Sequence, residues 1–168
     1  MGTSHPESRP WAVKTILSVN PDFILDVGAG SGTYVDALRE HKYAGTIDAV
    51  EAWSQYITKY HLKKKYRHVF NVDVREFDNF DYDVIIFGDV LEHMTKEDAV
   101  EVWNKVSKKA DYALISIPII DYHQGEIDGN PYEVHVKHDW TNEEVLDTFP
   151  NIVSSWTGDV VGAYWAKF

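Results

Sequence analysis

The amino-acid sequence predicts an α/β fold, in which a mostly parallel β-sheet is covered by helices on both faces. Short, almost wholly apolar runs recur along the chain, and segments with the helical spacing of apolar residues lie between them. A final stretch departs from this alternation and is typical of two strands joined by a turn. The length of 168 residues suits one domain, so we expect a single domain over residues 1–168.

Five runs have the apolar character of strands that are buried on both faces. Because helical segments lie between most of these runs, we expect right-handed crossovers and parallel pairing between the strands. The runs are FILDV at 23–27, TIDAV at 46–50, HVFNV at 68–72, YDVIIF at 82–87 and YALISI at 112–117.

The helical segments each present one apolar face. The first is an N-terminal helix within residues 1–20, for which Ser8 and Pro10 suit the first turn. Thr141 is followed three residues later by Glu144, which is the pattern of a capping box. The remaining helical segments are YVDALREH at 34–41, SQYITKYHLKKK at 54–65, KEDAVEVWNKVSKKA at 96–110 and TNEEVLDTF at 141–149.

Two segments after the fifth strand break the alternation. Residues 118–140 contain turn formers and scattered aromatic residues without a clean period, which predicts a long loop. We expect this loop to lie on the side of the domain where the substrate binds. Residues 151–168 read as a hairpin that turns at Thr157, Gly158 and Asp159. The hairpin would add antiparallel strands to one edge of the sheet and bring the total to seven strands.

Composition excludes several classes of function. The net charge is −11 and the basic residues are dispersed apart from KKKYRH at 63–68, a pattern typical of a solvated helix end, so we expect no nucleic-acid partner. The chain has no cysteine, which excludes disulfides, thiolate metal sites and a cysteine nucleophile. No signal peptide and no apolar run long enough to cross a membrane are evident, so we expect no membrane partner and a cytoplasmic location.

A glycine-rich loop follows the first predicted strand in ILDVGAGSGTY, at residues 24–34. Glycines at this position let the backbone approach a ligand at the carboxyl edge of the sheet. No lysine follows them, which argues against a phosphate-binding P-loop. The sixth position counted from Gly28 is Thr33, and a β-branched residue there argues against a dinucleotide.

The stretch Asp26-Val27-Gly28-Ala29-Gly30-Ser31-Gly32 resembles the first motif of the Rossmann-like (class I) S-adenosylmethionine-dependent methyltransferases. An acid beside the loop suits this ligand, which carries positive charges and no phosphate. Further acids end the next three strands, and GDVLEH resembles the fourth motif of the small-molecule branch of the family. Each acid taken singly is more typical of a solvated strand end or a helix cap, and the combination of four carries the resemblance.

The resemblance implies S-adenosylmethionine as cofactor, S-adenosylhomocysteine as product and a Rossmann-like sandwich as fold. It places Glu51 on the ribose hydroxyls and Asp73 on the adenine amino group. The complete set of residues implied for cofactor binding is Asp26, Gly28, Ala29, Gly30, Gly32, Glu51, Ala52, Asp73, Val74, Asp89 and Val90.

Methyl transfer to oxygen or to a protonated nitrogen needs a general base, and histidine is the most suitable residue at neutral pH. His93 lies four residues beyond Asp89 and is the first candidate, although a histidine that fixes the loop by a hydrogen bond would look the same. His138, which lies three residues after His135, is the second candidate for the general base. Their spacing resembles that of metal ligands, but no full ligand set is identifiable, so no metal is predicted. Aromatic residues that could line an acceptor pocket, or pack under the loop, are Tyr122, His123, Tyr132 and Trp140.

The function predicted from these features is methyl transfer from S-adenosylmethionine to an oxygen or nitrogen of a small-molecule acceptor. Nothing after the fourth strand matches the motif with which nucleic-acid amino methyltransferases stack a flipped base. The alternative is a catalytically idle domain that binds S-adenosylmethionine or S-adenosylhomocysteine as a regulatory or partner subunit. A nicotinamide-dependent oxidoreductase is a weaker third hypothesis, because of Thr33.

Overall fold

The computed structural model describes residues 5–168, so the first four residues of the predicted N-terminal segment lie outside the described residues. The described chain contains one seven-stranded sheet with the order β3-β2-β1-β4-β5-β7-β6. The strands are β1 Phe23–Val27, β2 Thr46–Val50, β3 Val69–Phe70, β4 Val84–Gly88, β5 Tyr112–Pro118, β6 Ile152–Thr157 and β7 Val161–Lys167.

The pairing of the strands confirms the predicted mostly parallel sheet. β1 pairs in parallel with both β2 and β4, and β3 and β5 extend the sheet in parallel on either side. The C-terminal hairpin then adds β7 antiparallel to β5, and β6 antiparallel to β7 at the edge. The strand order reverses between β1 and β4, which is the switch point where open α/β sheets bind their ligands.

The helices occupy the predicted places, with some differences in extent. They are α1 Arg9–Ser18, α2 Thr33–Glu40, α3 Ser54–Lys59, α4 Leu62–Lys65, α5 Lys96–Val106 and α6 Asn142–Thr148. The single helix predicted over 54–65 is wrong, because His61 takes a left-handed conformation with φ of 53° and divides the segment into α3 and α4. The strand predicted over 68–72 is also shorter, since only Val69 and Phe70 pair with β2.

Two hydrophobic cores cover the two faces of the sheet, as expected for strands that are apolar on both sides. Alternate residues of β1 supply both cores: Leu25 belongs to the core that includes Trp103 of α5, and Ile24 to the core that includes Ile16 of α1. The central strands are therefore fixed from both sides, and their carboxyl ends form a rigid edge.

The start of α6 confirms only half of the predicted capping box. Thr141 Oγ1 accepts a hydrogen bond from the Glu144 backbone N–H at 3.1 Å, as the pattern requires. The Glu144 carboxylate does not return to the cap. It pairs instead with Lys96 Nζ at 2.9 Å and Lys137 Nζ at 3.0 Å, and so ties α6 to α5 and to the long loop.

The long loop predicted over 118–140 is present and lies beside the carboxyl edge of the sheet, interrupted by a 3₁₀ turn at Pro131–Glu133. Its backbone is bonded to the segment after β4, because the Lys137 N–H donates to the Glu92 carbonyl at 3.0 Å. Within residues 5–168, no helix is long and apolar enough to cross a bilayer.

Candidate active site

A cleft of about 1250 Å³, counted with its open mouth, lies at the carboxyl edge of the sheet. Its walls come from the loops after β1, β2, β3 and β4 and from the long loop after β5.

The glycine loop between β1 and α2 forms one wall and cannot carry larger side chains. Gly28, Gly30 and Gly32 have φ of 66°, 53° and 82°, the left-handed region that favours glycine. A Cβ on Gly28 would lie 2.6 Å from Val90 Cγ2, closer than real contacts allow. Gly28 and Gly30 line the cleft, whereas Gly32 is the N-cap of α2 and faces Lys65 instead.

Glu51, at the end of β2, connects the glycine loop to the next wall. Its carboxylate accepts hydrogen bonds from the Gly30 N–H and the Trp53 N–H, both at 2.9 Å. Burial raises the pKa of Glu51, and these two N–H groups act against that rise. Each carboxylate oxygen still has a free lone pair, so Glu51 can accept from a ligand hydroxyl while it holds the loop.

Asp26 lies beneath the glycine loop and is almost fully buried. It accepts a hydrogen bond from the Tyr66 hydroxyl at 2.5 Å. Burial raises the pKa of Asp26 to about 7, while the bond from Tyr66 acts in the opposite direction and the charge of Glu51 adds to the rise. A cationic ligand in the cleft would favour the ionised form of Asp26.

Asp73 and Val74 follow β3, and both line the cleft. Asp73 is engaged by Arg75 at two points: Nε donates to Oδ1 at 3.0 Å and Nη2 to Oδ2 at 2.6 Å. Burial raises the pKa of Asp73, but the bonds from Arg75 outweigh that effect and the net pKa is lowered. The carboxylate is therefore ionised, held in place and still able to accept on its free lone pairs.

Asp89, directly after β4, is held in a left-handed conformation with φ of 56°. Its carboxylate accepts from the Ser116 hydroxyl at 3.0 Å and from the His5 N–H at 2.5 Å. Burial raises the pKa of Asp89 to about 6. The part played by His5 was not predicted, because nothing in the sequence indicates that the segment before α1 crosses to β4.

Glu92, His93 and His135 meet at the end of the cleft formed by the β4 loop and the long loop; we refer to them as the Glu92–His93–His135 cluster. His93 Nδ1 lies 3.2 Å from the Val134 carbonyl, and His135 Nδ1 lies 2.6 Å from the Tyr122 carbonyl. Burial lowers the pKa of both histidines and raises that of Glu92 well above its usual range.

The second predicted base, His138, does not line the cleft. Its Nδ1 lies 2.8 Å from Asp121 Oδ1, and its ring lies against that of His123 with a centroid separation of 3.6 Å, on the outer side of the loop. The sequence placed His135 and His138 together, but the turn of the loop sends them to different sides.

The four loop aromatics are divided in the same way. Tyr122 and Tyr132 line the cleft, whereas His123 lies at the surface. Trp140 is buried in the core beside Phe149, so for this residue the alternative of packing under the loop is the one observed.

The chemistry of the lining residues fits S-adenosylmethionine. Six carboxylates line the cleft against one guanidinium, that of Arg75, which is already paired with Asp73. A cation in the cleft would favour the ionised form of these carboxylates, so the lining suits a cationic nucleoside without phosphates and opposes a pyrophosphate. The six are Asp26, Glu51, Asp73, Asp89, Glu92 and Glu133.

Comparison with known proteins agrees with this fold. A family model described as a methyltransferase domain matches residues 25–110. No curated protein matches the sequence.

Three solved structures illustrate the likeness of fold. An S-adenosylmethionine-dependent methyltransferase from Clostridium acetobutylicum has a TM-score of 0.72 and 11% identity, over 99% of this chain and 92% of that one. The N-terminal domain of EvdMO1 with S-adenosylhomocysteine bound has a TM-score of 0.68 and 12% identity, over 98% of this chain and 82% of that domain. A protein from Nostoc punctiforme has a TM-score of 0.69 and 15% identity, over 95% of this chain but only 56% of the longer protein.

The family model covers more than half of the chain, including the glycine loop, the end of β1 and the whole of β2, β3 and β4. The sheet order and the C-terminal antiparallel strands agree with the solved structures. The chain therefore belongs to the Rossmann-like S-adenosylmethionine-dependent methyltransferase family.

Proposed function

We propose that this protein transfers a methyl group from S-adenosylmethionine to an oxygen or nitrogen of a small-molecule acceptor. One observation carries most of the weight: the glycine loop and the acids at or after the carboxyl ends of β1, β2, β3 and β4 all line one cleft. S-adenosylhomocysteine in the EvdMO1 domain, which has the same fold, supports the choice of cofactor.

The residues proposed to hold the cofactor are those that line the glycine-loop half of the cleft. Glu51 would accept from the ribose hydroxyls, and Asp73 from the adenine amino group, with Val74 against the ring. Asp26 and Asp89 would face the positive charges of the ligand. Gly32, which faces Lys65, would act only through the conformation of the loop.

When bound, S-adenosylmethionine supplies a methyl group on a sulfonium, which is already activated for in-line displacement. The protein must then mainly align the acceptor and exclude water. Tyr122, Tyr132 and Gln124 of the long loop offer a polar and aromatic wall for an acceptor. An acceptor that binds beneath this loop would be of modest size.

Removal of the acceptor's proton is assigned to the Glu92–His93–His135 cluster rather than to His138. A base must reach the proton that it removes, and His93 and His135 line the cleft whereas His138 does not.

A labelled-methyl assay tests this proposal. The purified protein is incubated with S-adenosylmethionine that carries a labelled methyl group and with a panel of phenols, sugars, carboxylates and amines. We expect transfer to at least one hydroxyl or amine compound. Binding of S-adenosylhomocysteine without transfer to any acceptor, including those in a metabolite extract, would favour the idle binding domain instead. Cytoplasmic location and the absence of a nucleic-acid partner stay predictions.

A further inference from the structure

We propose that the Glu92–His93–His135 cluster is a binding site for a divalent transition-metal ion. The three side chains present one carboxylate and two imidazoles, and one ligand atom from each lies within 4.8 Å of the other two. Two histidines and one carboxylate with open positions is a ligand set used by catalytic zinc and by non-haem iron. The site was not predicted from the sequence.

The buried carboxylate of Glu92 is the first feature that indicates a bound cation. Its side chain is 1% exposed, and within residues 5–168 neither carboxylate oxygen has a hydrogen-bond partner. A buried carboxylate without a partner is costly, and such groups normally pair with a cation or coordinate a metal. Glu92 lines the cleft, so an ion that enters the cleft can reach it.

The two histidines are already held as metal ligands are held. A carbonyl oxygen only accepts, so Nδ1 of His93 donates to Val134 and Nδ1 of His135 donates to Tyr122. In neutral imidazole this leaves Nε2 with a free lone pair. Metal-binding histidines almost always donate their other ring N–H to a carbonyl or carboxylate in this way, which fixes both the tautomer and the ring.

The backbone brings the three ligands together before any ion binds. Lys137 N–H donates to the Glu92 carbonyl at 3.0 Å, and His135 N–H donates to the Gln124 carbonyl at 3.0 Å. The rings of His93 and His135 lie edge to face with centroids 4.9 Å apart. The first of these bonds joins the long loop to the loop after β4, and the second fixes His135 within the long loop.

The charge around the cluster is negative. The carboxylates of Asp89 and Glu133 interact electrostatically with Glu92, and both also line the cleft. A divalent cation would offset this charge, whereas an anion would be repelled. Because two of the three donors are imidazole nitrogens, an ion such as Zn²⁺, Co²⁺ or Fe²⁺ suits the site better than Ca²⁺.

The consequence for the acceptor rests on the proposed function. A cation with an open position lowers the pKa of a hydroxyl placed there, so the proton can pass to solvent water while the oxygen keeps a lone pair for attack. The new O–CH₃ bond would form as the methyl–sulfur bond breaks, with the electron pair left on sulfur. A neutral amine has only one lone pair, which binding to the ion would occupy. The site therefore favours oxygen over nitrogen as the accepting atom.

Cobalt provides a direct probe, because Co²⁺ absorbs visible light according to its coordination. The full chain is freed of metal by a chelator and titrated with Co²⁺. We expect one ion per chain with an absorption band typical of four or five ligands, and a higher Tm for the loaded protein. The variants Glu92→Gln and His135→Gln should each bind Co²⁺ more than about 100-fold more weakly. Losing a residue that only hydrogen-bonds to a metal ligand weakens binding by about 10- to 100-fold, so a larger loss indicates a ligand.

The matched control lies on the outer side of the same loop. Asp121, His123 and His138 form another group that could hold an ion, but it is largely exposed. His138→Gln should leave Co²⁺ binding unchanged. Loss of binding in His138→Gln with retention in Glu92→Gln would overturn the proposal, as would no Co²⁺ binding to the unaltered protein.

Folding of the variants is checked in the metal-free state. Since Glu92 is buried without a partner, metal-free Glu92→Gln should be at least as stable as the metal-free parent. S-adenosylhomocysteine binding, measured on the metal-free protein, separates the two proposals. Binding of the nucleoside without Co²⁺ binding would reject the metal site alone, and Co²⁺ binding without the nucleoside would reject the proposed function alone.

Discussion

At the residue scale, Asp48 of β2 holds together three segments on the side of the sheet away from the cleft. Its fully buried carboxylate accepts from Arg67 Nη2 at 2.6 Å, from the Tyr82 hydroxyl at 2.8 Å and from the His68 N–H at 3.1 Å. Burial raises the pKa of Asp48, but these bonds outweigh that effect and the net pKa is lowered.

Replacing Asp48→Asn should destabilise the protein by roughly 3 kcal/mol at pH 7, the lower end for breaking a buried ion pair, because Arg67 is half exposed. A carboxylate with a lowered folded pKa contributes stability above its unfolded pKa and loses it as the pH falls through the folded pKa. The difference between variant and parent should therefore shrink in acid. Urea unfolding at pH 7 and pH 3 checks this; an equal difference at both pH values would contradict it.

In the ligand-free protein, the contribution of Asp26 to stability should change with pH in the opposite sense to that of Asp48. Its pKa is raised from 3.8 to about 7 by burial, so its contribution is fully present below pH 4 and is lost as the pH rises through 7. Asp26→Asn should remove this loss and gain stability relative to the parent toward pH 8, by at most about 4 kcal/mol. Urea unfolding between pH 5 and pH 8 measures it, with the exposed Asp147→Asn as control. A constant difference across that range would be the contrary result.

At the element scale, the loop between β1 and α2 depends on a left-handed backbone at Gly28 and on the space beside Val90. Gly28→Ala should be destabilising by more than about 1–2 kcal/mol, the cost of the left-handed conformation alone, because its Cβ also meets Val90. Adding Val90→Ala should remove the contact between the new Cβ and Val90, but not the cost of the left-handed conformation. Thermal unfolding of both variants tests the two parts separately.

The control for the loop is Gly125→Ala, since a Cβ there has open space and the residue has no left-handed conformation. It should change the unfolding free energy little. If Gly28→Ala were as mild as Gly125→Ala, the loop would not be held as described.

At the scale of the whole molecule, the order of strands and helices was predictable because each parallel strand is apolar on both faces and each helix on one. The position of the cleft was predictable as well, since the carboxyl ends of parallel strands meet at one edge. The acids that end β1, β2 and β4 could be placed there from their position in the strand alone.

What could not be predicted depends on contacts between distant segments. Nothing local to His135 indicates that it reaches His93, because that contact is set by the path of the long loop. The burial of Glu92 and the crossing of His5 to Asp89 have the same origin. The break at His61 was missed because a non-glycine residue with positive φ carries only a weak sequence signal.

The central claim is that the cleft binds the nucleoside of S-adenosylmethionine through Glu51. Calorimetry with S-adenosylhomocysteine on the parent, on Glu51→Gln and on the exposed Glu101→Gln tests it most directly. We predict binding to the parent and to Glu101→Gln, and affinity lower by about 10- to 100-fold in folded Glu51→Gln, as for a lost hydrogen bond to a charged group. No binding to the parent at millimolar ligand, or equal affinity in Glu51→Gln, would contradict it.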